Sequence, residues 1–564
     1  MNRIKRTALL LTCSLACSVL LSACSGKSAH TVTPSSDWTT MALTTPSPSV
    51  TAATSAVPTT ATVTTTAKLP ETDRIPQTAP PPATSDLPGS SLPPLSSETV
   101  KTEGTTPPLT TPTPSTVTTV TSVTTLVTPS TTVTAPVTTP TVTTTKPATT
   151  TAAPVTTPVT TAPSTEAPDD ARSVLLYEDV KAMWISQYDM NALYTEEGVQ
   201  RDRASYTELV RAMLDRLSSM GFNTVFLQVR PNADSMVPSD YYPMSKYVVG
   251  EYGLEAEYDP ITVFLEEAHR RELSVHAWIN PLRCMKDTEI QSVDKRYKIR
   301  QWYDDKDLNG KYIVLYNGLY YLNPAYEEVR RLIVDGAVEL LRTHAFDGLH
   351  MDDYFYPTIS LAFDLVAYND YMNAGGTLGI LAFRRNNLDK LVSSLYSATK
   401  AVSGKLPYGI SPAGDIDKVY NTQFADIYNW CASEGYIDYI CPQVYFGFEH
   451  DTLDFVSICK AYHDIIKTDS VKLIIGMTFG KALDGFDNWA GDGKYEWRDH
   501  KDVLKRSLEY TASLEHCTGI SVFCYQYFYD PVSGTAISET AEEVANFVPV
   551  LQQIGWNKEK ETTE

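Results

Sequence analysis

From Val180 onward, short runs rich in β-branched and aromatic residues alternate with longer stretches whose apolar positions recur every three or four residues. The short runs predict strands at Lys181–Tyr188, Asn223–Arg230, Ser274–Pro281, Phe346–Tyr354, Leu406–Pro412, Ile437–Tyr445, Val471–Thr478 and Gly519–Tyr527. Helices are predicted between them. Ser205-Tyr206-Thr207-Glu208 reads as a capping box ahead of Leu209, Met213, Leu214 and Leu217, and Asp259-Pro260 and Asn323-Pro324 each place a cap before a proline at the first helical position. Further helices are expected at Arg384–Val402, Leu453–Lys467, His500–Ser513 and Glu539–Ile554. Eight strands, each followed by a helix, predict an α/β fold, a (β/α)8 TIM barrel with long loop insertions at 231–260 and 282–322. The alternative is a doubly wound open sheet, which would normally carry a glycine-rich phosphate loop after its first strand; this chain has none there.

The pattern breaks down before residue 171. Residues 1–23 have a basic start (Arg3, Lys5, Arg6) and an apolar run from Ala8 to Leu21, which predicts a secretory signal. Leu21-Ser22-Ala23-Cys24 resembles the bacterial lipobox and implies a lipoprotein signal peptide, cleavage before Cys24 and diacylglycerol on that cysteine. Residues 24–170 are Thr, Pro, Ser, Ala and Val with almost no aromatic residues, a composition that cannot bury a core and predicts a disordered linker. Extended at about 3 Å per residue, such an arm reaches on the order of several hundred Å. The expected organisation is therefore signal 1–23, linker 24–170, barrel 171–557 and a disordered tail at 558–564. A lipid on Cys24 implies anchoring to the outer face of a bacterial membrane.

Charge narrows the partners. A formal net charge of −21 argues against nucleic acid and anionic lipid surfaces; an uncharged or cationic substrate fits better. Of nine cysteines, three fall in or beside the signal, and Cys284, Cys431, Cys441, Cys459, Cys517 and Cys524 show no metal-ligand spacing. Cys441 and Cys524 sit in apolar runs and read as buried thiols, while pairing of any two stays open. Neither a cofactor nor a resident metal is expected.

The chemistry concentrates at the predicted strand ends. Phe346-Asp347-Gly348-Leu349-His350-Met351-Asp352-Asp353-Tyr354 is an apolar strand that ends in two adjacent carboxylates. Alternation sets His350, Asp352 and Tyr354 on one face, against Leu349 and Met351 on the other. Side-by-side carboxylates need strong donors, a shared proton or a raised pKa; an ion-paired Asp followed by a capping Asp is the structural alternative. Barrel enzymes work at the C-terminal ends of their strands, and there the other strands offer Gln228 and Arg230, then His276, Trp278 and Asn280, then Gln443 and Tyr445. Long Tyr-rich insertions at these ends are placed to stack on sugar rings or to pack the loops themselves.

Five blocks in order, Gly221–Arg230, His276–Arg283, Asp347–Pro357, Gly409–Pro412 and Pro442–Tyr445, resemble the glycosyl hydrolase-like family 10 domains of bacterial envelope proteins. The resemblance implies a TIM-barrel glycoside hydrolase acting on an envelope glycan, and one branch of the family cuts peptidoglycan strands stripped of stem peptides. Glycosidases generally use two carboxyl groups, often with one after strand seven, but Leu473–Phe479 has none. Some barrel hexosaminidases carry an adjacent acidic pair after strand four, and Asp352-Asp353 is similar in position and type. On that likeness Asp352 orients the substrate acetamido group and Asp353 is the general acid/base, with the reverse assignment open. Arg230, Asp234, His276, Asn280, Arg283, His350, Gln443 and Tyr445 are candidates for binding sugar, and Trp184, Trp278 and Tyr354 for walling the subsite. Asp415 and Asp417 are the reserve for a second carboxylate, or else turn and cap residues. A metal hydrolase built on His276 and His350 lacks the His-x-His usual on strand one, where Ile185-Ser186-Gln187 stands. A glycan-binding barrel without turnover is the third reading.

Overall fold

The computed structural model describes residues 171–556 except Tyr354, so the signal peptide, Cys24, the linker, the tail and Tyr354 lie outside the described residues. Eight parallel strands close into a barrel: β1 (Val180–Ile185), β2 (Thr224–Arg230), β3 (Ser274–Ile279), β4 (Gly348–Met351), β5 (Tyr408–Ile410), β6 (Tyr439–Ile440), β7 (Lys472–Thr478) and β8 (Cys517–Phe523). Each pairs with its sequence neighbours, and β8 closes on β1 from Val180↔Gly519 to Met183↔Val522. All eight fall where the hydrophobic runs predict them. Several stop earlier, because the ladder ends while the apolar pattern continues: the last β4 carbonyl, on Met351, accepts from Ser411 N–H at 2.7 Å, and the chain then bends so that Phe355 N–H reaches Asp353 O at 2.9 Å.

Large rings fill the barrel, and glycines on the facing strands make room for them. Phe226 stacks on His350 with centroids 4.1 Å apart and planes at 16°. A Cβ at Gly348 would sit 2.7 Å from His276 Nδ1, and one at Gly409 would enter the Tyr439 ring. Gly476 passes Trp184 with similar closeness. The interior is a packed core, with the C-terminal strand ends above it.

The outer helices are α1 (Arg203–Met220), α2 (Pro260–His269), α3 (Glu327–Thr343), α4 (Ile380–Val402), α5 (Ile427–Ala432), α6 (Phe455–Ile465), α7 (Val503–Thr511) and α8 (Ala541–Gln553). Asp259 caps α2 ahead of Pro260, as expected. Two caps differ. The α1 cap is Asp202, which accepts from the backbone N–H groups of Ala204 and Ser205 while the Ser205 hydroxyl donates to it, so the helix starts earlier than the Ser205 box implies. Asn323 accepts from Ala325 N–H in a turn, and α3 begins only at Glu327.

The insertion after β2 contains the short helix Lys246–Val249, and the one after β3 builds a three-stranded antiparallel sheet from Arg283–Lys286, Ile313–Tyr316 and Leu319–Leu322. Tyr242, Tyr252, Tyr297 and Trp302 are buried in these insertions and pack them. The six cysteines among the described residues are free, buried thiols, and burial pushes Cys284 and Cys517 up to about 12. Among the described residues no helix is long and apolar enough to cross a membrane.

Candidate active site

Asp352 follows the last residue of β4 and is only 2% exposed. Its Oδ2 accepts from Trp278 Nε1–H at 3.0 Å and from the Asn280 side-chain amide. That amide is itself oriented. Asn280 Oδ1 accepts from Gln228 Nε2 at 2.8 Å, and Gln228 Oε1 accepts from Gln187 N–H at 2.7 Å. A backbone N–H at the end of β1 thus sets the sense of two side-chain amides in series, and the last presents an N–H to the carboxylate. Trp278 and Asn280 both donate to the Asp352 side chain, which suits a carboxylate held in one orientation.

Asp353 is half-buried. Strand alternation alone would point it away from the barrel, but β4 has already ended, and its Oδ1 accepts from Gln443 Nε2 at 3.3 Å, beyond β6. Gln443 Nε2 also lies 3.3 Å from Ser411 O, and Gln423 Nε2 donates to Asp353 O at 3.2 Å. The two neighbouring carboxylates therefore reach opposite walls of one mouth, Asp352 toward β3 and Asp353 toward β6. Tyr445 lies close to both: burial pushes its phenol up, and the charges of Asp353 and Asp352 add to the push.

Phe523, at the end of β8, supplies an apolar surface that the sequence reading missed. Its ring lies 6.1 Å from Tyr445, 6.2 Å from Trp184 and 6.5 Å from Trp278. Nothing in an apolar run marks one Phe as cleft-lining; its position at a strand end was the only available signal.

Beneath this layer runs a buried chain of rings. Trp184 Nε1–H donates to His350 Nε2 at 3.2 Å, so the His350 proton is on Nδ1, which faces Tyr439 Oη at 3.0 Å. Tyr439 Oη then donates to His276 Nδ1, also at 3.0 Å. Burial holds His276 down to about 4 and His350 well below the usual imidazole range, so both rings are neutral. His276, His350 and Trp184 thus support the mouth from below. Both His350 nitrogens are engaged, which does not suit a metal ligand, and among the described residues no cluster of three or more His, Cys, Asp or Glu could hold a metal ion.

Two expected sugar contacts are turned away. A bulge in β2 pairs Gln228 with Trp278 but Arg230 with Ile279, so Arg230 shares the outward side of Ile279. It is 3% exposed, donates to Gly336 O on α3 at 2.9 Å and lies over the Tyr242 ring at 4.1 Å. Asp234 is fully buried in the following loop, where it accepts from Asn232 N–H at 2.8 Å and Tyr252 Oη at 3.0 Å. Asp415 caps the helix Ile416–Asn421, and Asp417 is exposed in its first turn. Arg283 is half-buried at the start of the antiparallel sheet, opposite Tyr321. The mouth therefore gathers Asp352, Asp353, Trp278, Asn280, Gln443 and Tyr445, with Gln228, Gln187 and Phe523 added.

A family model described as glycosyl hydrolase-like 10 matches residues 179–487. Glycosyl hydrolase YngK of Bacillus subtilis (strain 168) is 30% identical over 359 residues, which is 60% of this chain and 68% of that protein. Glycosyl hydrolase DigH of Escherichia coli (strain K12) is 29% identical over 348 residues, 58% of this chain and 77% of that one. Among solved structures, the catalytic domain of beta-amylase from Paenibacillus polymyxa aligns with a TM-score of 0.43 at 9% identity, covering 66% of this chain and 98% of that one. The family match spans more than half of the chain and takes in β1 to β7 with the carboxylate-bearing mouth: the chain belongs to the glycosyl hydrolase-like 10 family and is a glycoside hydrolase.

Proposed function

We propose that the enzyme cleaves an N-acetylated cell-envelope glycan, peptide-free peptidoglycan strands above all, through Asp352 and Asp353 acting with the substrate's own acetamido group. The observation that carries this reading is the adjacent pair: one carboxylate fixed by Trp278 and Asn280, the other turned to Gln443. The lack of a carboxylate on β7 favours an internal nucleophile over an enzyme-bound one.

In the first step the acetamido oxygen attacks the anomeric carbon. The C–O bond to the leaving sugar breaks, and Asp353, as the acid, gives its proton to the departing oxygen. Asp352, held by Trp278 and Asn280, accepts from the acetamido N–H and stabilises the positive charge that develops on the ring so formed. Water then attacks the same carbon, Asp353 takes its proton, and the acetamido group is restored. Tyr445, Trp278 and Phe523 wall the reacting sugar. Residues 1–170 fit the same setting, with a lipid on Cys24 and a long arm carrying the barrel away from the membrane.

The test is reducing-end release and mass analysis after incubating the full chain with peptide-free strands, alongside Asp352→Asn and Asp353→Asn. Cleavage by the parent and a loss of at least about 1000-fold in both variants is the expected result. Binding of strands with no new ends from the parent would reject hydrolysis of this polymer and favour a glycan-binding barrel.

A further inference from the structure

Between β7 and α7 the chain crosses the C-terminal face of the barrel, the face that carries the mouth. Trp489 stands on this segment and is 43% exposed, whereas Trp184, Trp278, Trp302, Trp430 and Trp497 are buried. Its mount is fixed on both sides. Trp489 N–H donates to Asp487 Oδ1 at 3.0 Å, and that buried carboxylate pairs with Lys481 Nζ at 3.2 Å. Asp487 N–H donates to Lys494 O at 2.8 Å and Gly493 N–H to Ala490 O at 3.1 Å, closing the turn that carries the indole. This turn is fastened to the loop that leaves β6. Asp451 N–H donates to Ala490 O at 3.2 Å, and the buried Glu496 accepts from the N–H groups of Phe448 and Glu449 at 3.1 and 2.9 Å. Gly447 and Gly493 permit the approach, since a Cβ on either would run into Glu496 or the Glu449 carbonyl. Asp451 is six residues beyond Tyr445, so Trp489 is held within about 30 Å of the mouth. Tyr495 on the same segment is also exposed, but Arg498 already lies over its ring at 4.2 Å. Among the described residues no ring or cation lies over Trp489.

We propose that Trp489 is a stacking platform for a distal sugar unit of the same glycan strand whose scissile bond lies at Asp352 and Asp353. The axial C–H face of a pyranose is apolar and flat enough to lie on an indole, and the contact takes apolar surface of both partners out of water. Because the turn is already pinned, little freedom remains to be lost when the sugar lands on it. The occupant is a unit of the bound strand because platform and mouth share one frame: a polymer held at the mouth meets the platform at a high local concentration, an advantage that a short fragment lacks. The inference rests on the glycan reading above and deepens it, making long strands the preferred substrate.

The experiment compares the full chain, Trp489→Ala and Trp489→Phe on full-length peptide-free strands and on a tetrasaccharide cut from them. Trp489→Ala is expected to raise KM for the strands at least about fivefold with kcat held within about twofold, and to leave kcat/KM on the tetrasaccharide within about twofold of the parent. Trp489→Phe keeps a smaller flat ring and is expected to recover most of the loss. An unchanged KM on the strands, or an equal loss on both lengths, overturns the proposal. Binding is read separately by fluorine NMR of the full chain labelled with fluorotryptophan, in which the Trp489 signal is the one missing from Trp489→Phe. A tetramer of N-acetylglucosamine is expected to shift that signal. No shift overturns the platform, as does a shift that follows protein concentration without sugar, which would mean that a second copy covers the ring. Should the tetrasaccharide not be cut, the strand KM and this signal decide together, and both have to move. If the parent cuts no strands yet the signal responds to the tetramer, the platform stands and the polymer assignment falls.

Discussion

Replacing Tyr439 by phenylalanine isolates the contribution of the buried ring chain. The substitution keeps the ring, which lies nearly parallel to Phe226 at 6.0 Å and fills the space left by Gly409, and removes only the hydroxyl. That hydroxyl accepts from His350 Nδ1–H and donates to His276 Nδ1, both at 3.0 Å. Without it, two buried polar atoms lose their partner. At about 1–3 kcal/mol for each orphaned group, partly offset by not burying a phenol, the variant should be less stable by about 2–4 kcal/mol. Denaturant unfolding followed by circular dichroism at pH 7.5, with an unchanged m-value, measures this directly. Acid adds a second readout. His276 takes up a proton near 6.5 when unfolded but only near 4 when folded, so the unfolded chain binds more protons between those values and stability falls as pH drops through that window. The loss is at most about 3 kcal/mol for this ring. A Tyr439→Phe variant within about 0.5 kcal/mol of the parent at pH 7.5 would refute the directed chain from Trp184 to His276.

Three further outcomes are expected. Asn280→Ala removes one donor from Asp352 and orphans the amide of Gln228, so kcat for glycan cleavage should drop about 10- to 100-fold in a protein that melts close to the parent. Glu543, 1% exposed and accepting from Leu504 N–H at 2.6 Å, is pushed up by burial to about 7. The folded state therefore holds a proton that the unfolded state has released above about 4.5, and stability falls as pH rises from there to about 7; Glu543→Gln should be more stable than the parent by about 2–3 kcal/mol at pH 8, with the gap closing at pH 4.5 in paired unfolding curves. Gly409→Ala drives a methyl group into the Tyr439 ring and should cost about 1–3 kcal/mol in the same assay.

How far each residue could be placed from the sequence depended on whether the strand period held. All eight strands were legible, because the barrel core imposes β-branched and aromatic residues at fixed intervals and the intervening helices carry their own period. Parity placed Trp278, Asn280 and Asp352 together, and they touch. It misplaced the direction of two side chains where the backbone departs from a regular strand. Arg230 follows a bulge, and Asp353 follows the end of the β4 ladder. Neither departure has a compositional mark, since Val229 and Met351 are ordinary strand residues. The aromatic insertions showed the same limit: composition announces rings but does not separate Tyr242, which is buried, from Tyr247, which is half-exposed.

The β2 bulge has a consequence for how this mouth can change. Its one extra residue turns the cationic Arg230 to the outward side while the uncharged Gln228 stays in the mouth. Deleting Val229 would set the arginine directly after Gln228, opposite Ile279 and in plain alternation, so the guanidinium would stay on the α3 side and Gln228 in the mouth. Only a regular pairing that kept all three residues would bring the guanidinium onto the face of the amide relay, so the extra residue lets a cation brace the outer helix one step from a neutral mouth.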